Sequence, residues 1–191
     1  MARVTGPPAR WKVRKHGADK RRTWRKLHLV ADEATNTIHA VELTTHSISD
    51  AEMIKPLLAD IEWPIAKLSA DGAYDQVKVF DELEKHWIQP VIPPRSNAVI
   101  WTGENGNDLI HPRNEAIRQI RLVGIAAWKQ QIGYHRRSKA ETAMFRWKTV
   151  FGERLSARLV TNQQTEAQIK ATCLNQFTRL GMPKTVKRLP T

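Results

Sequence analysis

Apolar and polar side chains first alternate along residues 24–31, with Leu27, Leu29 and Ala31 on one side and Lys26, His28 and Val30 on the other. That is the period of a strand. Residues 32–37 supply a polar turn, and residues 38–44 read as the return strand of a hairpin. Ser49 and Glu52 form a capping box that opens a helix carrying Met53, Ile54, Leu57 and Leu58, which Pro56 weakens in the middle. Residues 65–70 are a short apolar run ending on Asp71-Gly72. A helix over residues 76–86 is predicted to face Val77, Phe80 and Leu83 inward. Residues 89–92 form a short buried strand stopped by Pro93-Pro94. Residues 95–112 are loop-like and 114–123 helical, and Gly133 interrupts before a stripe of Ala140, Met144, Trp147 and Phe151. A last helix, capped by Thr165 and Gln168, carries Ile169, Cys173, Phe177 and Leu180 and ends at Gly181 and Pro183. Residues 1–10 show no periodicity and read as a frayed start. The order predicts an α/β sheet with helices against it.

Composition narrows the class of partner. The 191 residues are read as one domain, residues 1–191, long enough for a proper core. A net charge of +12, from 31 Lys+Arg against 19 Asp+Glu, favours polyanionic partners and nucleic acid above all. The cations cluster: Lys12, Arg14, Lys15, Lys20, Arg21, Arg22, Arg25 and Lys26 share one stretch with a single acid, Asp19. Cys173 is the only cysteine, which excludes an internal disulfide and a thiolate zinc site; its stripe predicts a buried thiol. No window spans a bilayer, so the expected location is cytoplasmic, on the nucleoid. The seven His show no zinc-protease spacing, and no glycine-rich phosphate loop is present.

The richest chemistry lies in residues 134–151. Tyr134, Arg137, Glu141 and Lys148 are spaced by three, four and seven. On one helix they fall within an arc of roughly 60°. Glu141 then borders a buried face and a basic face, which suits a metal ligand beside a phosphate backbone. Two plainer readings stand beside this one. The charges can be ion pairs on a solvated helix face, or Ser138 and Glu141 can form a capping box that leaves Tyr134 and Arg137 in the preceding turn.

The Tyr-x2-Arg-x3-Glu-x6-Lys spacing at 134–148 resembles the signature around the last carboxylate of the DDE transposases of bacterial insertion sequences. Residues 11–17 (WKVRKHG) and 21–29 (RRTWRKLHL) are similar to that family's segment after its first catalytic strand, and residues 70–75 (ADGAYD) to its second catalytic motif. The likeness runs from about residue 11 to residue 183. It implies a ribonuclease-H-like core, a mixed sheet flanked by helices, and Mg²⁺-dependent DNA strand cleavage and transfer. Two Mg²⁺ ions about 4 Å apart, bridged by carboxylates, activate the nucleophile and stabilise the leaving oxygen in such chemistry. Asp71 matches the second carboxylate and Glu141 the third, so these two carry the catalytic and metal-binding roles. Tyr134, Arg137 and Lys148 are implied DNA contacts, with Arg14, Lys15, Arg21, Arg22, Arg25 and Lys26 as phosphate contacts. Trp24 is a candidate for base stacking.

The first carboxylate has no match: no Asp or Glu precedes Asp19. Asp19 and Asp32 read as loop acids, and Asp75, Asp81 and Glu82 as exposed acids. The expectation is a transposase whose first catalytic strand is absent and whose catalysis is impaired, working on insertion-sequence ends and target DNA, possibly as a homodimer. The alternatives are a catalytically inactive DNA-binding remnant and a basic structural nucleoprotein.

Overall fold

The computed structural model describes residues 4–5 and 25–181. Strands β1 (Val4–Thr5), β2 (Arg25–Ala31) and β3 (Ile38–Thr45) form an antiparallel sheet in that order. Part of the stretch expected to be frayed is therefore strand. The β2–β3 hairpin is as the alternation predicts, pairing Leu27 with Leu43 and Leu29 with Val41. Asp32 sets the turn: its Oδ1 accepts from the backbone of Ala34 and Thr35, and Asn36 takes the left-handed conformation that Asn tolerates.

A 3₁₀ turn, Asp50–Met53, leads into α1 (Ile54–Ala59), and Glu52 Oε2 accepts from Ser49 N at 2.7 Å as the capping box requires. Strand β4 (Lys67–Ser69), helix α2 (Val77–Lys85) and strand β5 (Gln89–Val91) follow, β4 and β5 pairing in parallel as a separate two-stranded sheet. The sheet expected to be continuous is thus two small sheets among the described residues. Gln89 N and Val91 O bond to the β4 side, which turns Pro90 outward. A missing N–H therefore falls on the outer edge, where it costs no ladder bond.

The remainder is helical: α3 (Pro112–Val123), α4 (Ile125–Gln131), α5 (Ser138–Phe151) and α6 (Val160–Leu180). Helix α4 had no sequence expectation, because its only buried large side chain is Trp128 and no apolar stripe marks it.

The hairpin is buried on both faces. One side meets a cluster built by Ile54, Leu57, Leu68, Val79 and Leu83. The other carries Leu27, Leu29 and Val41 against Ala140, Met144 and Trp147 of α5 and Leu174 of α6. Two-sided burial overturns the exposed reading of Lys26. It is 8 % exposed, its Nζ donates to Ile48 O at 2.6 Å, and Asp50 lies 3.6 Å away. Such a cation is committed internally and is no phosphate contact.

Two more expectations fail for the same kind of reason. In α2, Val79 is buried and Val77 exposed. In α6 the helix starts at Val160, not near Thr165, and the stripe of Ile169, Phe177 and Leu180 faces out, with Cys173 exposed. The buried face instead carries Ala167, Ala171 and Leu174, with two amides beside them. Gln164 bonds Leu43 N and Val41 O, and Asn175 bonds both Ile38 N and Ile38 O. These side chains satisfy the outer edge of β3, so small residues that allow close approach outrank large apolar ones.

Trp147 is 4 % exposed at the centre of the α5 contact with the hairpin. Trp147→Ala is expected to cost about 3–5 kcal/mol in urea unfolding; a loss below about 1 kcal/mol would contradict this packing.

Candidate active site

Asp71 stands two residues beyond β4, at the N-terminus of a 3₁₀ turn, Gly72–Tyr74. Its extended backbone ends the strand, and its Oδ1 accepts from Ala73 N at 2.9 Å. Asp and Asn cap such turns because the short side chain reaches the backbone two residues on. The carboxylate is thereby held at the C-terminal end of a strand.

Glu141 comes from the other direction. Gly133, at φ 69°, turns the chain after α4 in a conformation that favours glycine. A 3₁₀ turn, Tyr134–Arg137, follows and runs straight into α5. Helix α5 therefore starts at Ser138, as the capping-box reading places it, but Arg137 occupies the cap position and no side chain caps it. The single helix over 134–148 is corrected to a tighter turn followed by α5. The side chains converge regardless: Arg137 Nη2 donates to Glu141 Oε1 at 2.5 Å, and the Arg137 guanidinium lies 5.6 Å from the Tyr134 ring centre. Lys129 Nζ is 5.2 Å from the same ring.

The 3₁₀ turn packs against β4. The Tyr134 hydroxyl is influenced by both acids. Its pKa is raised by burial first; the charge of Arg137 opposes this, and the negative charges of Asp71 and Glu141 both add to it. One half-buried phenol therefore lies in the field of both carboxylates. Tyr74, 3 % exposed, brackets Asp71 on the other side; burial pushes its pKa up, and the charges of Asp50 and Asp71 reinforce the shift.

Carboxylate oxygens are the ligands that hard divalent ions prefer, so these two acids are suited by their chemistry to hold one. Among the described residues no three His, Cys, Asp or Glu are clustered to hold a metal. Asp50 also acts on Tyr74, but it lies 3.6 Å from Lys26 Nζ and 3.8 Å from His28 Nδ1. Sequence reasoning missed it because it reads as one residue of a capping box.

The other expected contacts divide. Lys148 lies two turns further along α5 and pairs with Glu153 at 2.9 Å. Arg25 is half-buried, and its Nε donates to Gln163 Oε1 at 3.1 Å. Arg14, Lys15, Arg21, Arg22 and Trp24 lie outside the described residues. Asp75, read as an exposed acid, is buried against Arg113.

Among the described residues no helix is long and apolar enough to cross a membrane. No solved structure matches the chain. Residues 1–176 match the transposase DDE domain family, and the chain belongs to that family.

Proposed function

We propose that this chain binds transposon-end DNA and carries the strand cleavage and transfer of an insertion-sequence transposase at Asp71 and Glu141, within a ribonuclease-H-like arrangement. The observation that carries the reading is the contact of the Tyr134–Arg137 turn with β4, with Arg137 bonded to Glu141 and Asp71 two residues beyond that strand. Membership of the transposase DDE domain family supports transposition and makes DNA the partner.

Asp71 and Glu141 would hold Mg²⁺, which supplies activation of a water or 3′-hydroxyl and neutralises charge on the leaving oxygen. Each protein group then has a task of its own. Arg137 holds Glu141 through a charge-assisted bond and offers its remaining N–H groups to a phosphate oxygen. Tyr134 stays protonated, because burial and two negative neighbours disfavour the phenolate, so its O–H is a hydrogen-bond donor. Lys148 lies along the same helix as a phosphate contact for the flanking backbone. The two sheets and α5 set these groups on rigid elements.

Two carboxylates rather than three also favour reduced catalysis. Among the described residues no third carboxylate clusters with Asp71 and Glu141. Loss of a bridging ligand takes away several kcal/mol of transition-state stabilisation. Binding without turnover is the corresponding second reading, and its DNA contacts are the same.

In a nicking assay on end-sequence DNA, slow Mg²⁺-dependent cleavage is expected, and Asp71→Ala and Glu141→Gln should each abolish it. Cleavage that survives both substitutions would remove these acids from the chemistry. Mg²⁺ should raise the melting temperature of the wild type but not of Asp71→Ala, and equal shifts in the two proteins would contradict the metal site. Glu141→Gln should leave DNA affinity unchanged or higher, because a negative charge near phosphate disappears. Lys148→Ala should lower the slope of log affinity against log salt by about 1; an unchanged slope would take Lys148 out of the interface.

A further inference from the structure

Beneath the Asp71 turn lies a buried ion pair for which the proposed chemistry has no direct use. Asp75, four residues on, is 7 % exposed, and Arg113 is 5 % exposed. Asp75 Oδ1 accepts from Arg113 Nε, and Oδ2 accepts from Arg113 Nη2 at 3.3 Å. The guanidinium also donates to Val99 O at 2.7 Å and stacks 4.2 Å from the Trp101 ring centre. Asp75 Oδ2 has another partner: the backbone N–H of Arg95 donates to it at 3.0 Å.

From Arg95 the network returns to the site. Its Nε donates to Gly72 O at 3.3 Å and its Nη2 approaches Ala73 O at 3.5 Å. Asp75 N closes the same turn on Gly72 O at 3.2 Å. Both carbonyls that flank the Ala73 residue are thus held, and Ala73 N is the group that grips Asp71 Oδ1. Room is tight as well, since a Cβ on Gly72 would stand 3.3 Å from Pro93 O.

We propose that Arg95, anchored by the buried Asp75–Arg113 pair, is a positioning residue for the Asp71 carboxylate. This rests on the reading of Asp71 as a site carboxylate. The guanidinium touches no reacting atom. It fixes the peptide units on either side of Ala73, and so fixes the N–H that orients the carboxylate. Groups that hydrogen-bond to the supports of a metal ligand act in this way. Arg95 itself is exposed, so removing it leaves the buried pair intact and the fold in place.

The full chain is compared as wild type, Arg95→Ala, Arg95→Lys and Asp71→Ala. Amide hydrogen exchange at Ala73, without metal, reports the turn itself; Mn²⁺ titration reports the carboxylate. Arg95→Ala should speed exchange at Ala73 and weaken Mn²⁺ binding, each on the order of 10-fold, with little change in melting temperature. Arg95→Lys, which keeps one donor and the charge, should recover part of both. Unchanged exchange at Ala73 in Arg95→Ala overturns the proposal. If Asp71→Ala binds Mn²⁺ as the wild type does, the metal site fails instead, and exchange at Ala73 still decides whether Arg95 positions the turn.

Discussion

The shared electrostatic influence of Asp71 and Glu141 on one half-buried phenol, Tyr134, is the constraint on which the proposed site turns. Like charges repel, although solvent screens Glu141, whose side chain is more than half exposed. The protein offsets this locally. Arg137 bonds Glu141, and the Ala73 N–H bonds Asp71. Under the proposed function, such a pair of acids gains from a cation. The fold brings their elements together although the acids stand seventy residues apart in the chain: Asp71 follows β4 by two residues, and the turn leading into α5, which bears Glu141, packs on β4.

The scaffold divides into a hairpin buried on both sides and a small parallel pair backed by α2. The hairpin is the hub because both hydrophobic clusters rest on it. Polar groups caught inside are paired: Lys26 with Ile48 O and Asp50, His28 with Thr44, and Asp75 with Arg113. A buried charge with its partner removed is costly, whereas the pair itself adds little net stability. Such pairs are better understood as devices that fix geometry. Asp75 with Arg113 is the clearest case, since the turn it supports bears Asp71.

Much of the architecture was legible wherever one periodicity dominated. The hairpin, β4, α2, β5 and the Ala140–Met144–Trp147 stripe all follow from alternation or helical spacing. The misses have a common physical source. In α6, backbone groups at the edge of β3 needed amides, so Gln164 and Asn175 took the inward face and large apolar residues went outside. Lys26 alternates as a polar residue should, yet a second layer covers it. Asp75 looks like any surface acid, because the arginine that buries it stands 38 residues away and no spacing rule links them. The proposed site rests on two short motifs, Asp71-Gly72 and the Tyr134–Lys148 spacing. The 3₁₀ turn at Tyr134–Arg137 was not, since one helix and a capped helix fit the same residues.

The most direct measurement is the titration of Tyr134, one of only two tyrosines in the chain, by NMR of ¹³C-labelled tyrosine. A neighbouring carboxylate disfavours the phenolate, so neutralising it must lower the phenol pKa. Asp71→Asn and Glu141→Gln are each expected to lower the Tyr134 pKa relative to wild type, though the two acids stand seventy residues apart in the chain. A Tyr134 pKa indifferent to either substitution would show that the two acids do not share this place.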